Sequence, residues 1–142
     1  MAARFAGDWA MAHRVRELRE RALELAETEL RAYAPVLEAL RRPRDDPDRA
    51  RSLEAARTEA SQSPLEVAQL AVDVAEMAAD IAHAGNPNLA GDAIAGALLA
   101  EAAAQASARL VAINLTDGPM VDQAGVFSDQ ARAARDRALE SR

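Results

Sequence analysis

Neither cysteine nor lysine occurs anywhere in the 142 residues. The first absence excludes disulfides, thiolate nucleophiles and zinc–thiolate sites; the second excludes Schiff-base lysine chemistry. All 17 basic side chains are therefore arginine, set against 23 carboxylates, for a net charge of −6 and a pI near 4.9. That balance argues against nucleic acid or an anionic membrane as the main partner. Aromatic residues make up only 3%, and β-branched and aromatic residues nowhere alternate for long, so the strand signal is missing. No uninterrupted apolar run is expected to span a membrane, and the opening "MAARFAGDWAMAHRVRE" is not built like a signal peptide. The expected address is the cytoplasm.

What is present is alanine: 37 residues of it, within an apolar half of the chain. The length suits one domain over 1–142. A core of alanine, leucine and valine is thin per residue and works best where helices approach closely over long contacts. Much of the burial is therefore expected between subunits.

The periodicity predicts an all-α fold, an antiparallel bundle of about five helices that dimerises through its long helices. A first helix is expected from about Asp8 to Leu40, with Val15, Leu18, Ala22, Leu25 and Leu30 on one side. Pro35 should kink or break it near Tyr33, because proline lacks the N–H that the preceding turn needs. "RRPRDDPDRA" (41–50) reads as a loop and 48–61 as a polar helix. In "SQSPLEV", Ser63 is placed as N-cap, Pro64 as first helical residue and Glu66 as partner in a capping box. Val67, Leu70, Val74, Met77 and Ile81 then form the seam of a helix that Gly85 should end in the left-handed conformation. A helix capped by Asn88 should follow to Leu115, burying Ile94, Leu98, Leu110 and Ile113. "TDGP" (116–119) reads as a turn before a short charged terminal helix.

The interruption "GNPNLAGDA" (85–93) is polar for a corner between two apolar helices. Together with its flanks, "SPLEVAQLAVDVAEMAADIAHAGNPNLAGDAIAGALLAEAAAQASARLVAINL" resembles the cyclodeaminase/cyclohydrolase family. Members of that family include the cyclodeaminase domain of formimidoyltransferase-cyclodeaminase and the bacterial methenyltetrahydrofolate cyclohydrolases. The matching features are the proline-led "PLEVA" helix, the corner Gly85-Asn86-Pro87-Asn88, Asp92 four residues on, an alanine-rich helix, and Asn114 near its end. Leu110 stands where the family carries asparagine. In "LAETELRAYAPVLEALRRP" (25–43), Glu29 and Tyr33 stand where aspartate and phenylalanine are usual.

The resemblance implies a homodimeric folate enzyme without cofactor or metal. It would act as a formimidoyltetrahydrofolate cyclodeaminase or a methenyltetrahydrofolate cyclohydrolase, with the tetrahydrofolate derivative as substrate. Asp92 would be the catalytic carboxylate, with Asn86, Asn88, Asn114 and Glu29 binding the substrate. Both reactions move protons near a bridging carbon that gains or loses positive charge, work suited to a carboxylate. Carboxamides offer donors and acceptors together, as a pterin requires.

The family's glycine-rich "PGGGS" helix and its lysine-containing stretch have no counterpart in this sequence. Two alternatives therefore stand beside the enzyme: a non-catalytic helical dimer that binds folate or serves as a scaffold, and a subunit whose partner chain supplies that helix. Each candidate also has a plain structural reading. Asn88 is an ordinary cap and Asp92 an ordinary first-turn acid. Glu29 is an ordinary solvated helix residue, Tyr33 reads as core, and Arg109 as an intersubunit salt bridge. His13 and His83 lack partners at metal-ligand spacing.

Overall fold

The computed structural model describes residues 2–141, with side chains from Trp9 onward. It is all-helical over that range. The elements run α1 (Ala2–Ala32), α2 (Ala34–Arg41), α3 (Arg49–Ala60), α4 (Gln62–Ala84), a 3-10 turn (Pro87–Leu89), α5 (Ala90–Asn114) and α6 (Pro119–Leu139). The four long helices α1, α4, α5 and α6 make the bundle. Six α-helices appear in place of about five because Pro35 divides the first expected helix. α1 ends at Ala32, and the proline falls in the first turn of α2, where a missing N–H costs nothing.

α1 runs antiparallel to α4. Arg14 donates to Asp73 at 3.0 Å, Arg21 pairs with Glu66, and the Ser63 hydroxyl donates to the Leu25 carbonyl at 3.3 Å. Glu24, then Glu66, raises the pKa of the Arg21 guanidinium above its usual value. Of the expected apolar stripe only Leu18 and Leu25 are buried; Val15 and Leu30 face solvent. The reason is geometric. α1 rests mainly on α4, through Leu18 and Leu25, and meets α3 only near its end, at Ala32; Leu30 lies about 140° round the helix from Leu25.

Between α2 and α3, Asp46 accepts the Asp48 N–H at 2.8 Å. Arg49 donates back to the Arg42 and Leu40 carbonyls, closing the open end of α2. The expected capping box at Ser63 does not form. Helix α4 already starts at Gln62, since Ser61 keeps helical dihedrals and its hydroxyl donates to the Arg57 carbonyl. Ser63 is buried and spends its hydroxyl on α1, and Glu66 turns to Arg21.

The core lies between α4, α5 and α6, and it is built of alanine. Ala71, Val72 and Ala75 pack with Ala100, Ala104, Ala131 and Ala134. Toward the corner, Ala78, Ala79 and Ala82 pack with Ala93, Ala97 and Ala138. The expected α4 seam of Val67, Leu70, Val74, Met77 and Ile81 is only half-buried. Small side chains let helix axes approach, so the alanine rows form the contact and the larger residues flank it. The same logic overturns the reading of α5, where Ala93, Ala97, Ala100, Ala104 and Val111 are buried while Leu98, Leu110 and Ile113 are exposed. α6 is 21 residues long rather than short, because Ala124, Ala131, Ala134 and Ala138 give it a buried row inside a charged sequence.

Two glycines hold special geometry. Gly85 ends α4 in extended, not left-handed, backbone, with φ −81° and ψ −164°. A Cβ there would lie 2.3 Å from the Ile81 carbonyl oxygen. Gly118 has φ 104° and redirects the chain into α6. The stretch Pro87–Asn114 is long and apolar enough to cross a membrane by length and composition, but Glu101 and Arg109 interrupt it after Asp92, so the stretch is no uninterrupted apolar run.

Candidate functional site

The corner 85–92 sits on a braced platform. The Arg137 guanidinium donates to Asp80 at 3.1 Å and to the Glu76 carbonyl at 3.3 Å, and the His83 ring meets the Arg137 carbonyl at 2.6 Å. The end of α6 is thereby fastened to the end of α4, directly under the turn. Within the corner, Asn86 takes the capping role expected of Asn88. Its side-chain oxygen accepts the Asn88 N–H at 3.0 Å, and the Leu89 N–H reaches the Asn86 carbonyl at 2.8 Å. The shift of two residues follows from Pro87, whose fixed φ starts a 3-10 turn before α5 begins.

This leaves the Asn88 carboxamide exposed, outside the capping role, and Asp92 exposed in the first turn of α5. The orphan N–H groups of that turn favour a carboxylate. Asn86, Asn88 and Asp92 therefore form one polar shelf open to solvent. Chemically it offers one carboxylate, one free carboxamide and the amide end of another.

Asn114 and Glu29 are not on that shelf. Asn114 is the last residue of α5, 22 positions from Asp92, which puts the two about 33 Å apart along the helix axis. Glu29 is exposed near the end of α1, and the antiparallel pairing of α1 with α4 sets it at the start of α4, again away from the corner. Tyr33, expected in the core, is 49% exposed.

Asn114 instead borders a cleft of about 620 Å³ between α3 and the α5–α6 turn, together with Arg49, Arg57, Thr58 and Asp117. Sequence reading missed these residues as site candidates. The arginines look like solvated charge in a polar helix, and only the tertiary contact of α3 with the turn brings them to Asn114. Glu101 was also missed. It is the sole charged side chain among the buried residues described, and Gln105 donates to it one turn along. Among the described residues no three histidine or carboxylate side chains gather in a metal-holding group.

The model of the formiminotransferase-cyclodeaminase family matches residues 9–134. The chain belongs to that family. Its fold agrees with a solved relative, the crystal structure of formiminotetrahydrofolate cyclodeaminase from Thermotoga maritima. That structure superposes with a TM-score of 0.79 over 91% of this chain at 24% identity. The chain spans 66% of that protein's length. At this identity the likeness is one of fold. No curated protein matches the chain.

Proposed function

We propose that this member of the formiminotransferase-cyclodeaminase family works in folate one-carbon metabolism as a homodimer in the cytoplasm. It would close or open the imidazoline ring of a tetrahydrofolate derivative, with loss of ammonia or addition of water. The observation that carries this reading is the family match running through the corner 85–92, where Asn86, Asn88 and Asp92 share one solvent-facing shelf. In this reading Asp92 takes or returns a proton at the bridging carbon and steadies the cation that develops there. Asn88 reads the pterin edge with a carboxamide that takes no cap role, while Asn86 keeps the shelf in shape through its bond to the Asn88 N–H.

The test is calorimetric titration with 5-formyltetrahydrofolate, a stable stand-in for the 5-formimidoyl compound, followed by turnover assays. Micromolar binding that Asp92→Ala abolishes along with turnover, with Tm held within a few degrees, supports the enzyme. If Asp92→Ala instead lowers stability sharply and leaves binding unchanged, Asp92 is a first-turn acid and nothing more. A second reading, folate binding without turnover, is favoured by one observation. Asn114 and Glu29 stand at the far end of the same protomer's bundle, so one chain alone presents Asp92 without them. Binding with no turnover on any formimidoyl- or methenyltetrahydrofolate would establish that reading.

A further inference from the structure

The turn between α5 and α6 is fixed by one residue. Gly118 holds φ 104° and ψ 177°, a conformation in which a side chain would be strained. Its carbonyl accepts the Val121 and Asp122 N–H groups that open α6. The fold therefore requires glycine there whatever precedes it, and what precedes it is Asp117. Of the eleven aspartates in the chain this one alone is followed by glycine, and the three asparagines are followed by leucine or proline.

That neighbour has a chemical consequence. An aspartate carboxyl and the next backbone nitrogen can close a five-membered succinimide, and a side chain on the second residue hinders the closure. Glycine has none, and a Cβ built on Gly118 meets nothing within 4 Å, so the approach is open. Hydrogen bonds that hold either partner are the other obstacle. Among the described residues the exposed Asp117 carboxylate has neither a hydrogen bond nor an ion pair, and the Gly118 N–H has no acceptor. Asp73, Asp80, Asp129 and Asp136 are held differently. Each pairs with an arginine and lies inside a helix, where the following N–H is spent on the helical ladder.

We infer that Asp117–Gly118 is a site of spontaneous aspartate isomerisation in the folded protein. The Gly118 nitrogen gives up its proton and attacks Cγ of Asp117. An N–Cγ bond forms, a Cγ–O bond breaks, and the oxygen leaves as water. Water then opens the ring at either carbonyl. Opening at Cγ restores aspartate. Opening at the main-chain carbonyl leaves the backbone running through Cβ and Cγ, with the former main-chain carboxyl free, which is isoaspartate. The water lost in closure is regained in opening, so mass and charge are unchanged and no co-reactant is needed.

The product lengthens the backbone by one methylene immediately before the residue whose dihedrals and carbonyl begin α6. Further along, Ala131, Ala134 and Ala138 still hold α6 in the core, so the change loosens its first turn and not the bundle. The same turn walls the cleft beside Asn114, and that wall is reshaped with it. Isomerisation needs no ligand and stands apart from the folate reading.

The test holds the full chain folded at neutral pH in warm buffer for several weeks, beside the same chain in urea and the Asp117→Ser variant. Tryptic peptide 110–132 carries Asp117, Asp122 and Asp129 together. Isoaspartate should split it into two chromatographic peaks of equal mass, the new one cut by Asp-N endoprotease at 122 and 129 but resistant at 117. The new peak should grow in the folded chain at a rate comparable to that in urea and be absent from the variant. Aged wild type should unfold at lower urea than fresh protein, while aged Asp117→Ser matches its fresh form. A peak that grows in urea but not in the folded chain, or resistance arising equally at 122 or 129, would overturn the site. Identical unfolding of isomerised and fresh protein would overturn the loosening of α6.

Discussion

Gly85 and Gly125 show how one residue type carries opposite obligations within a single chain. A Cβ on Gly85 meets the Ile81 carbonyl at 2.3 Å, so Gly85→Ala should destabilise by about 1–3 kcal/mol. At Gly118 the obligation is dihedral. A φ of 104° with an extended ψ is essentially closed to residues bearing a Cβ, and Gly118→Ala should cost roughly 1–3 kcal/mol. Gly125 lies exposed inside α6 with nothing within 4 Å of a built Cβ. There alanine should stabilise by about 0.4–1 kcal/mol, by restricting the unfolded chain. Urea unfolding of the three variants checks all three values, and equal effects at Gly85 and Gly125 would contradict the close approach described for the corner. The need for a glycine at 85 was readable in "HAGNPN"; its conformation was not, because the extended backbone is set by how α4 meets the 3-10 turn.

At the scale of the element, the contacts are alanine rows rather than leucine seams. Ala97 is fully buried against α4, with Ala78, Ala79 and Ala82 in the same cluster. Ala97→Leu should therefore force the helices apart and cost about 1–3 kcal/mol. Ala133, exposed on α6, should accept leucine within about 0.5 kcal/mol. Thermal unfolding of the pair separates the two cases, and a tolerated leucine at 97 would mean a looser core than the alanine rows imply. The break at Tyr33 was legible because proline acts on backbone geometry wherever the helix packs. The seams of α4 and α5 were not. With alanine on every side, counting large apolar residues selects the flanks, and short interaxial distance rewards the smallest side chains instead.

For the whole molecule, the exposed row on α5 is the main debt of the fold. If a second copy covers it, folding and association are linked and Tm should rise with protein concentration. Scanning calorimetry over a hundredfold range of concentration is the check. Leu110→Glu should remove the dependence and lower Tm, because an unpaired charge at that position opposes association. A Tm independent of concentration, for a protein monomeric throughout, would leave α5 uncovered. The candidate site was half legible at this scale. The shelf of Asn86, Asn88 and Asp92 is local in sequence, so reading along the chain finds it. Asn114 and Glu29 are distant in sequence, and only the antiparallel order of the helices reveals that they end up far from the shelf.

The sequence alone determined the helical class, the interruption at Tyr33, the polar corner and the family, because backbone propensity, proline geometry and turn residues act locally. Tertiary structure decided which face of each helix is core, which asparagine caps the corner and how far Asp92 stands from Asn114. Those depend on interaxial distance and helix direction, and a chain apolar on every side carries no local signal for either.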